Sequence, residues 1–555
     1  MKKLLYLIPI VLLTIIVNPV VAQKPGKTDK KLTEKFDRIL SEKFPGDGPG
    51  CAALVARKGK IIYHKAFGMA DLELHVPMRE VMVFRLGSIT KQFTAVAVLQ
   101  LEEAGKLSIK DSITKFIPGY PMHGKVITVE HLLTHTSGIK SYTGMKEWTA
   151  EVRRRDMPLD TLIAFFRDQP MDFDPGEKWS YCNSGYVLLG KIIEVASGMP
   201  YDRYLDEKVF KPLDLMQTAY DTTLKIIRNR AKGYGKGDRG YENAEYLSMT
   251  QPHAAGSLIS TVEDLYRWYA GLGSGRIIGK SQVEKAFVPS VTSDGRETGY
   301  GYGWFIGDLY GSKVIHHGGG INGFLTMGIW VPSEELFVGI FSNCEVLSPD
   351  FEAWKMAVAA LGRDIDFKAI ELDSTALARF TGVFVGSDSS ERTITLRDGK
   401  LYSQRTGSRE FLITPYAPDK FFFPDAMITF EFRSDPGGPV TGLVMTRIGS
   451  KPVLCLKTDR KPVMKKEVRV EQQVLEEYVG EYELAPGFTL TMRIDNGKLM
   501  TRATGQPEFE LFPESETTFF LKVVDAKVTF VRGDNGKVNG LVLYQNGVHK
   551  ATKIR

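Results

Sequence analysis

Apolar and polar positions alternate at the two ends of the first two-thirds of the chain and follow a helical period in between. "CAALVAR", "KGK" and "IIYHKAFG" predict two strands joined by a tight turn over residues 51–68. "FTAVAVLQLEEAG" and "SGYVLLGKIIEVASG" are the clearest helical patterns, and the first is apolar nearly all round, as a buried helix is. "YGYGWFI", "GFLTMGIW" and "ELFVGIFSN" then predict strands again. Strands at both ends of a region with helices between them imply one antiparallel sheet assembled from both ends and covered by helices. This is an α+β domain, placed at about residues 30–365.

The remaining chain has short alternating runs, Gly and Asp turns and few helical stretches, and it repeats itself. "LARFTGVF" returns as "LEEYVGEYEL", "ITLRDGKLYSQRTG" as "LTMRIDNGKLMTRATG", and "GPVTGLVMTR" as "GKVNGLVLYQ", in the same order. Two copies at so long a period predict two duplicated all-β modules, at about 372–467 and 470–555, rather than a solenoid. A closed antiparallel barrel would remove the exposed edges of each. The charged stretch "DRKPVMKKEVRV" joins them.

Length supports this division, because 555 residues exceed what one ordinary core holds. With 43% apolar and 25% charged residues the composition is that of a globular protein. The formal charge is +6; removing Lys2 and Lys3 leaves +4, spread along the chain. No basic stripe with interleaved aromatics is present, which argues against a nucleic-acid partner. The N-terminus places those two lysines before a long apolar run that ends in "VVA". This predicts a signal peptide over residues 1–22, cut near Ala22, and a periplasmic or secreted protein with no stable membrane span. Cys51, Cys182, Cys344 and Cys455 match no zinc spacing and are expected to be free, mostly buried thiols.

Three Ser-x-x-Lys tetrapeptides occur, at Ser88–Lys91, Ser112–Lys115 and Ser137–Lys140, where chance alone gives about two. A nucleophilic serine needs an exposed hydroxyl, a base and nearby donors for the oxyanion. A lysine three residues on along a helix sits beside the hydroxyl. Only Ser88 opens a buried helix, with Gly87 allowing a tight turn before it. Pro118 interrupts the second copy, and Gly138 breaks the third.

A second element, Tyr181-x-Asn183, lies between a Pro-Gly turn and an apolar helix in "FDPGEKWSYCNSGYVLLG". A free phenol is a poor base at neutral pH, but an adjacent ammonium such as Lys91 favours the phenolate. Asn183 is positioned to donate to a substrate carbonyl or to hold Lys91. Tyr-x-Asn recurs at Tyr241–Asn243 and Tyr544–Asn546 without that setting. The third element is "HHGGGINGFL", whose glycines let backbone N–H groups approach a ligand. His317 would line the pocket there, and His316 is read as structural. His131 and His135 have metal-like i, i+4 spacing in "EHLLTH", but no glutamate follows His131, so no metal is assigned.

Ser88-Ile-Thr-Lys91, Tyr181-Cys-Asn183 and His317-Gly-Gly319, in that order, resemble the penicillin-recognising serine hydrolases. Their flanks "ITVEHLLTHTSGI", "AAGSLISTVEDL" and "YGYGW" are similar to the class C β-lactamase-like branch, with its D-aminopeptidase, carboxypeptidase and esterase relatives. The resemblance covers about residues 45–345 and implies a β-lactamase/transpeptidase-like domain, with Ser88 as nucleophile and Lys91 and Tyr181 as its catalytic partners. It further implies an oxyanion hole from the amides of Ser88 and Gly320, and substrate binding by Asn183, His317 and Gly319. No metal or organic cofactor is implied. The terminal modules resemble barrels that shape the site entrance in some members. Cys182 replaces the usual serine and is expected to point away. His317 replaces the lysine of β-lactamases, which weakens carboxylate recognition at that place. The expected substrate is therefore a small peptide, amide or ester. The alternatives are a β-lactamase, an acyl transferase and a slow or non-catalytic sensor.

Overall fold

The computed structural model describes residues 27–363, 367–387, 390–406, 408–423, 427–435, 438–462, 467–545 and 547–555. The apolar N-terminal run read as a signal peptide lies outside them. Among the described residues no helix is long and apolar enough to cross a membrane.

Six strands build the central sheet: β1 (Cys51–Arg57), β2 (Lys60–Phe67), β3 (Phe305–Leu309), β4 (Ser312–Ile321), β5 (Phe324–Val331) and β6 (Leu336–Ser342). Their order is β3-β4-β5-β6-β1-β2, and every pairing is antiparallel, so the sheet is assembled from both ends of the domain. Lys58 and Gly59 join β1 to β2 with φ of 51° and 73°. Two consecutive positive values match the right-handed twist of the strands, which is why a glycine stands there. Along β1, side chains alternate between two cores. Ala52, Leu54 and Ala56 face one, and Cys51, Ala53 and Val55 face the other.

Helices cover both faces. α1 (Lys27–Lys43) and α5 (Asp350–Ala360) pack on the second face through Phe36, Leu40, Ala353 and Met356. The larger core lies opposite, under α2 (Thr90–Glu103), α3 (Asn183–Ser197) and α4 (Val262–Leu272). Eleven of the fourteen residues of α2 are buried, which bears out its apolar pattern. All four cysteines are free and buried.

Two β modules follow. Eight strands between Gly382 and Lys457 form a closed barrel. The second module is a nine-stranded sheet whose edge strands, Glu508–Glu510 and Phe512–Pro513, are separated only by Leu511, so it curls almost fully round. The repeat is visible in the backbone. Each module opens with a short helix, Ser374–Ala378 or Gln472–Glu477. Each then turns its second hairpin on a positive-φ pair, Asp398-Gly399 or Asn496-Gly497.

Candidate active site

Ser88 lies in a 3-10 turn, Gly87–Ile89, that runs directly into α2. Sequence and packing fix this turn together. Gly87 has φ of 54°, and a methyl group built on it would stand 2.9 Å from the nitrogen of Gly320. A methyl group on Gly319 would stand 1.9 Å from the carbonyl oxygen of Leu86. The glycine strand β4 and the turn carrying Ser88 therefore touch backbone to backbone, which only glycine permits. Thr326 on β5 donates to the same Leu86 carbonyl at 2.9 Å, and Leu86 donates to Leu258 at 2.8 Å.

Lys91 is one turn further along α2 and fully buried. Its Nζ donates to Ser88 Oγ at 3.2 Å, to Asn183 Oδ1 at 2.8 Å and to the carbonyl of Ala255 at 2.9 Å. All three partners are uncharged. Burial thus disfavours the ammonium with no carboxylate to compensate, and the Lys91 pKa falls to about 7. The Tyr181 ring centroid is 4.7 Å from this nitrogen.

Tyr181 corrects one expectation. Its phenol is pushed above the usual range by burial, with the Ser88 hydroxyl opposing the shift only in part. Its Oη is buried beside the Ser88 hydroxyl but makes no well-formed hydrogen bond among the described residues. The phenolate predicted from an adjacent ammonium is not favoured, because the same burial that raises Tyr181 neutralises Lys91. Asn183 takes the second of its two expected roles and holds Lys91. Its Oδ1 accepts from Lys91 and its Nδ2 donates one hydrogen to Thr143 Oγ1 at 3.1 Å, which leaves the second N–H without a bond among the described residues.

His317 lies on β4 with its ring centroid 6.2 Å from that of Tyr181. Its Nδ1 meets the carbonyl of Gly318 at 2.6 Å, and its Nε2 meets the hydroxyl of Tyr300 at 3.0 Å. A carbonyl only accepts, so Nδ1 carries the hydrogen and Nε2 accepts from Tyr300. Burial lowers the pKa to about 3, which makes His317 a neutral wall. His316 packs on Phe305 and Trp354, as a structural residue does.

The competing motifs are occupied elsewhere. Ser112 caps a short 3-10 turn, and Lys115 pairs with Asp111. Ser137 accepts from the amide of Ile139, and Lys140 pairs with Asp172. Tyr241 and Asn243 lie on an exposed hairpin strand, and Asn546 lies outside the described residues. His131 accepts from the amide of Thr128 in a helix-capping arrangement, whereas His135 packs 4.3 Å from the Tyr181 ring. These two histidines serve different structures and do not converge. Cys182 turns its thiol to the carbonyl of Ile139 at 3.1 Å, away from Ser88.

Ser88, Tyr181, His317 and Gly318 open into a cleft of about 550 Å³. Trp179, Phe305, Phe351 and Trp354 make it largely aromatic, and Met427, Arg447 and Ile448 of the first barrel close one side. No described residue of the second β module lines it. Sequence reasoning missed Tyr300, Thr143, the Ala255 carbonyl and Arg447. Tyr300 and Thr143 stand in the stretches "YGYGW" and "KSYTGMKEW", but nothing in their spacing marks a partner.

The β-lactamase family model matches residues 36–363, more than half of the chain. The chain belongs to the β-lactamase family. Its relatives in that family are penicillin-binding-protein-like. Penicillin-binding protein 4* of Bacillus subtilis (strain 168) is 28% identical over 427 residues, covering 73% of this chain and 93% of that protein. The octameric penicillin-binding protein homologue from Pyrococcus abyssi aligns with a TM-score of 0.55 at 25% identity, covering 77% of this chain and 99% of that one. A D-stereospecific amidohydrolase from Streptomyces sp. aligns with a TM-score of 0.52 at 26% identity, covering 59% of this chain and 99% of that one. A domain of unknown function, DUF3471, matches residues 464–553, the second barrel.

Proposed function

We propose that this protein is an exported serine hydrolase that cleaves an amide or ester bond through an acyl-enzyme on Ser88. The observation that carries the reading is Lys91. It is a buried amine 3.2 Å from a serine hydroxyl, held by neutral groups alone and poised near pH 7. A base is most effective when its pKa lies near the working pH. The N-terminal apolar run supports export.

Ser88 Oγ attacks the substrate carbonyl carbon as its proton moves to the neutral Lys91 Nζ. The backbone N–H groups of Ser88 and Gly320 receive the oxyanion in this reading, which is supported by the close contact of the Gly87 turn with Gly320. The bond to the leaving group then breaks. The proton held by Lys91 passes through the neutral Tyr181 hydroxyl to the leaving amine or alcohol. Water repeats the sequence on the Ser88 ester and regenerates the free hydroxyl. Asn183 and Ala255 hold the Lys91 amine in place. A neutral His317 offers no fixed charge where β-lactamases carry lysine, which favours amides and esters over β-lactams. The D-stereospecific amidohydrolase among the relatives adds D-aminoacyl amides to the candidates.

The test is a panel on wild type and Ser88→Ala: p-nitrophenyl esters, D- and L-aminoacyl anilides, a D-Ala-D-Ala peptide and a chromogenic cephalosporin. Wild type should turn over an ester or D-aminoacyl anilide faster than the cephalosporin and trap an acyl group on the Ser88 peptide by mass spectrometry. Hydrolysis that survives Ser88→Ala overturns the assignment.

A further inference from the structure

We infer that Arg447, supplied by the first barrel, binds an anionic group of the substrate and so sets the selectivity of the Ser88 cleft. This rests on the hydrolase reading above and adds a substrate class to it: amides or esters that carry a carboxylate away from the scissile bond.

Arg447 ends a barrel strand, Val440–Arg447, and lines the cleft that holds Ser88 and Tyr181. It is exposed, and no carboxylate among the described residues lies within 4.0 Å of it. An unpaired guanidinium in a wall of aromatic side chains is a planar, two-pronged donor matched to a carboxylate. The one acid on the same wall is Asp350, which does not pair with Arg447. Low-dielectric surroundings hold the Asp350 carboxyl above its usual range, with Arg447 pulling the other way only as a lesser influence.

A second cavity, of about 1230 Å³, meets the first at Trp179, Phe305, His316 and Arg447. Lys178, Arg296 and Lys451 line it, and each is paired with a carboxylate, Glu177, Asp294 and Glu297 respectively. Arg447, at the junction of the two cavities, is the lining cation left without such a pair among the described residues.

The barrel itself does not need the arginine. In the duplicated module "GPVTGLVMTR" aligns with "GKVNGLVLYQ", so Gln545 occupies the position of Arg447. Both strands form, over Val440–Arg447 and Val538–Tyr544. Arg447→Gln therefore places in the first barrel the residue its own repeat already carries.

The experiment compares two esters of equal reach, p-nitrophenyl butyrate and mono-p-nitrophenyl succinate, in the full-length protein. For wild type the ratio of kcat/KM, succinate over butyrate, should exceed one and fall as salt rises. Arg447→Gln should lower that ratio about tenfold or more through the KM of the succinate ester, the scale of one charge-assisted pair. Arg447→Lys should restore part of it, and Asp350→Asn should move it upward. An unchanged ratio in Arg447→Gln, or an equal loss for both esters, overturns the inference. Failure of the hydrolase reading looks different: neither ester is cleaved, or cleavage survives Ser88→Ala. In that event, affinities of Ser88→Ala and Ser88→Ala/Arg447→Gln for the two esters by ligand-observed NMR still decide. Tighter succinate binding that Arg447→Gln abolishes supports the anion site, and equal binding removes it.

Discussion

The buried amine of Lys91 should write a specific pH profile. With a pKa of about 7 in place of 10.5, its neutral fraction is about 0.09 at pH 6, 0.5 at pH 7 and 0.91 at pH 8. If the neutral amine is the base, kcat/KM for an ester should rise about tenfold between pH 6 and pH 8 and then level off. An ordinary lysine would give about a hundredfold rise over the same range and continue upward. The histidines around the site stay out of this window, because burial lowers His317 to about 3 and His316 to about 4 and holds His135 well below its usual value. Stability supplies an independent readout. The folded pKa lies below the unfolded one, so the penalty for a buried ammonium is full below pH 7 and shrinks as pH rises toward 10.5. Between pH 6 and pH 9 the wild type should gain about 2–3 kcal/mol relative to Lys91→Met, seen as a converging difference in melting temperature. The assay is initial-rate hydrolysis of p-nitrophenyl butyrate at constant ionic strength, corrected for the uncatalysed rate. A profile flat across pH 6–8, or one still climbing tenfold per unit at pH 9, refutes the argument.

Two further outcomes separate chemistry from packing. Tyr181→Phe should lower kcat/KM by about 10²–10⁴ while leaving the melting temperature unchanged or higher, because the lost hydroxyl makes no well-formed hydrogen bond; a large drop in stability with retained turnover would make the residue structural. Gly319→Ala should destabilise by about 1–3 kcal/mol or more, since its new methyl meets the Leu86 carbonyl at 1.9 Å, whereas Gly320→Ala meets only a leucine methyl at 3.3 Å and should melt as wild type does.

Much of the architecture was legible because periodicity and turn chemistry agree. The hairpin around Lys58-Gly59, the buried helix after Ser88 and the duplicated Asp-Gly and Asn-Gly turns each combine a pattern with a residue that the backbone requires. The different settings of Ser88, Ser112 and Ser137 were legible for the same reason: only one of the three opens a buried helix behind a glycine. Ionisation states were not. Whether Lys91 or Tyr181 gives up its charge depends on how many carboxylates reach them, and long-range packing decides that. Partners drawn from irregular loops, Thr143 and Ala255 among them, leave no periodic trace. Arg447 was invisible for a further reason. Within its own module it is an ordinary strand-end cation, and it acquires meaning only where that module meets another.

That meeting has a consequence for how such a protein changes over generations. The reacting groups sit in one folding unit with its own cores, while part of the cleft wall belongs to a barrel with a separate core. On the proposed reading, mutations in the barrel retune what enters without disturbing the tightly interlocked glycines around Ser88. A duplicated attachment with a core of its own, docked through Met427 and Ile448, is thus a front end whose selectivity can drift while the engine behind it stays as built.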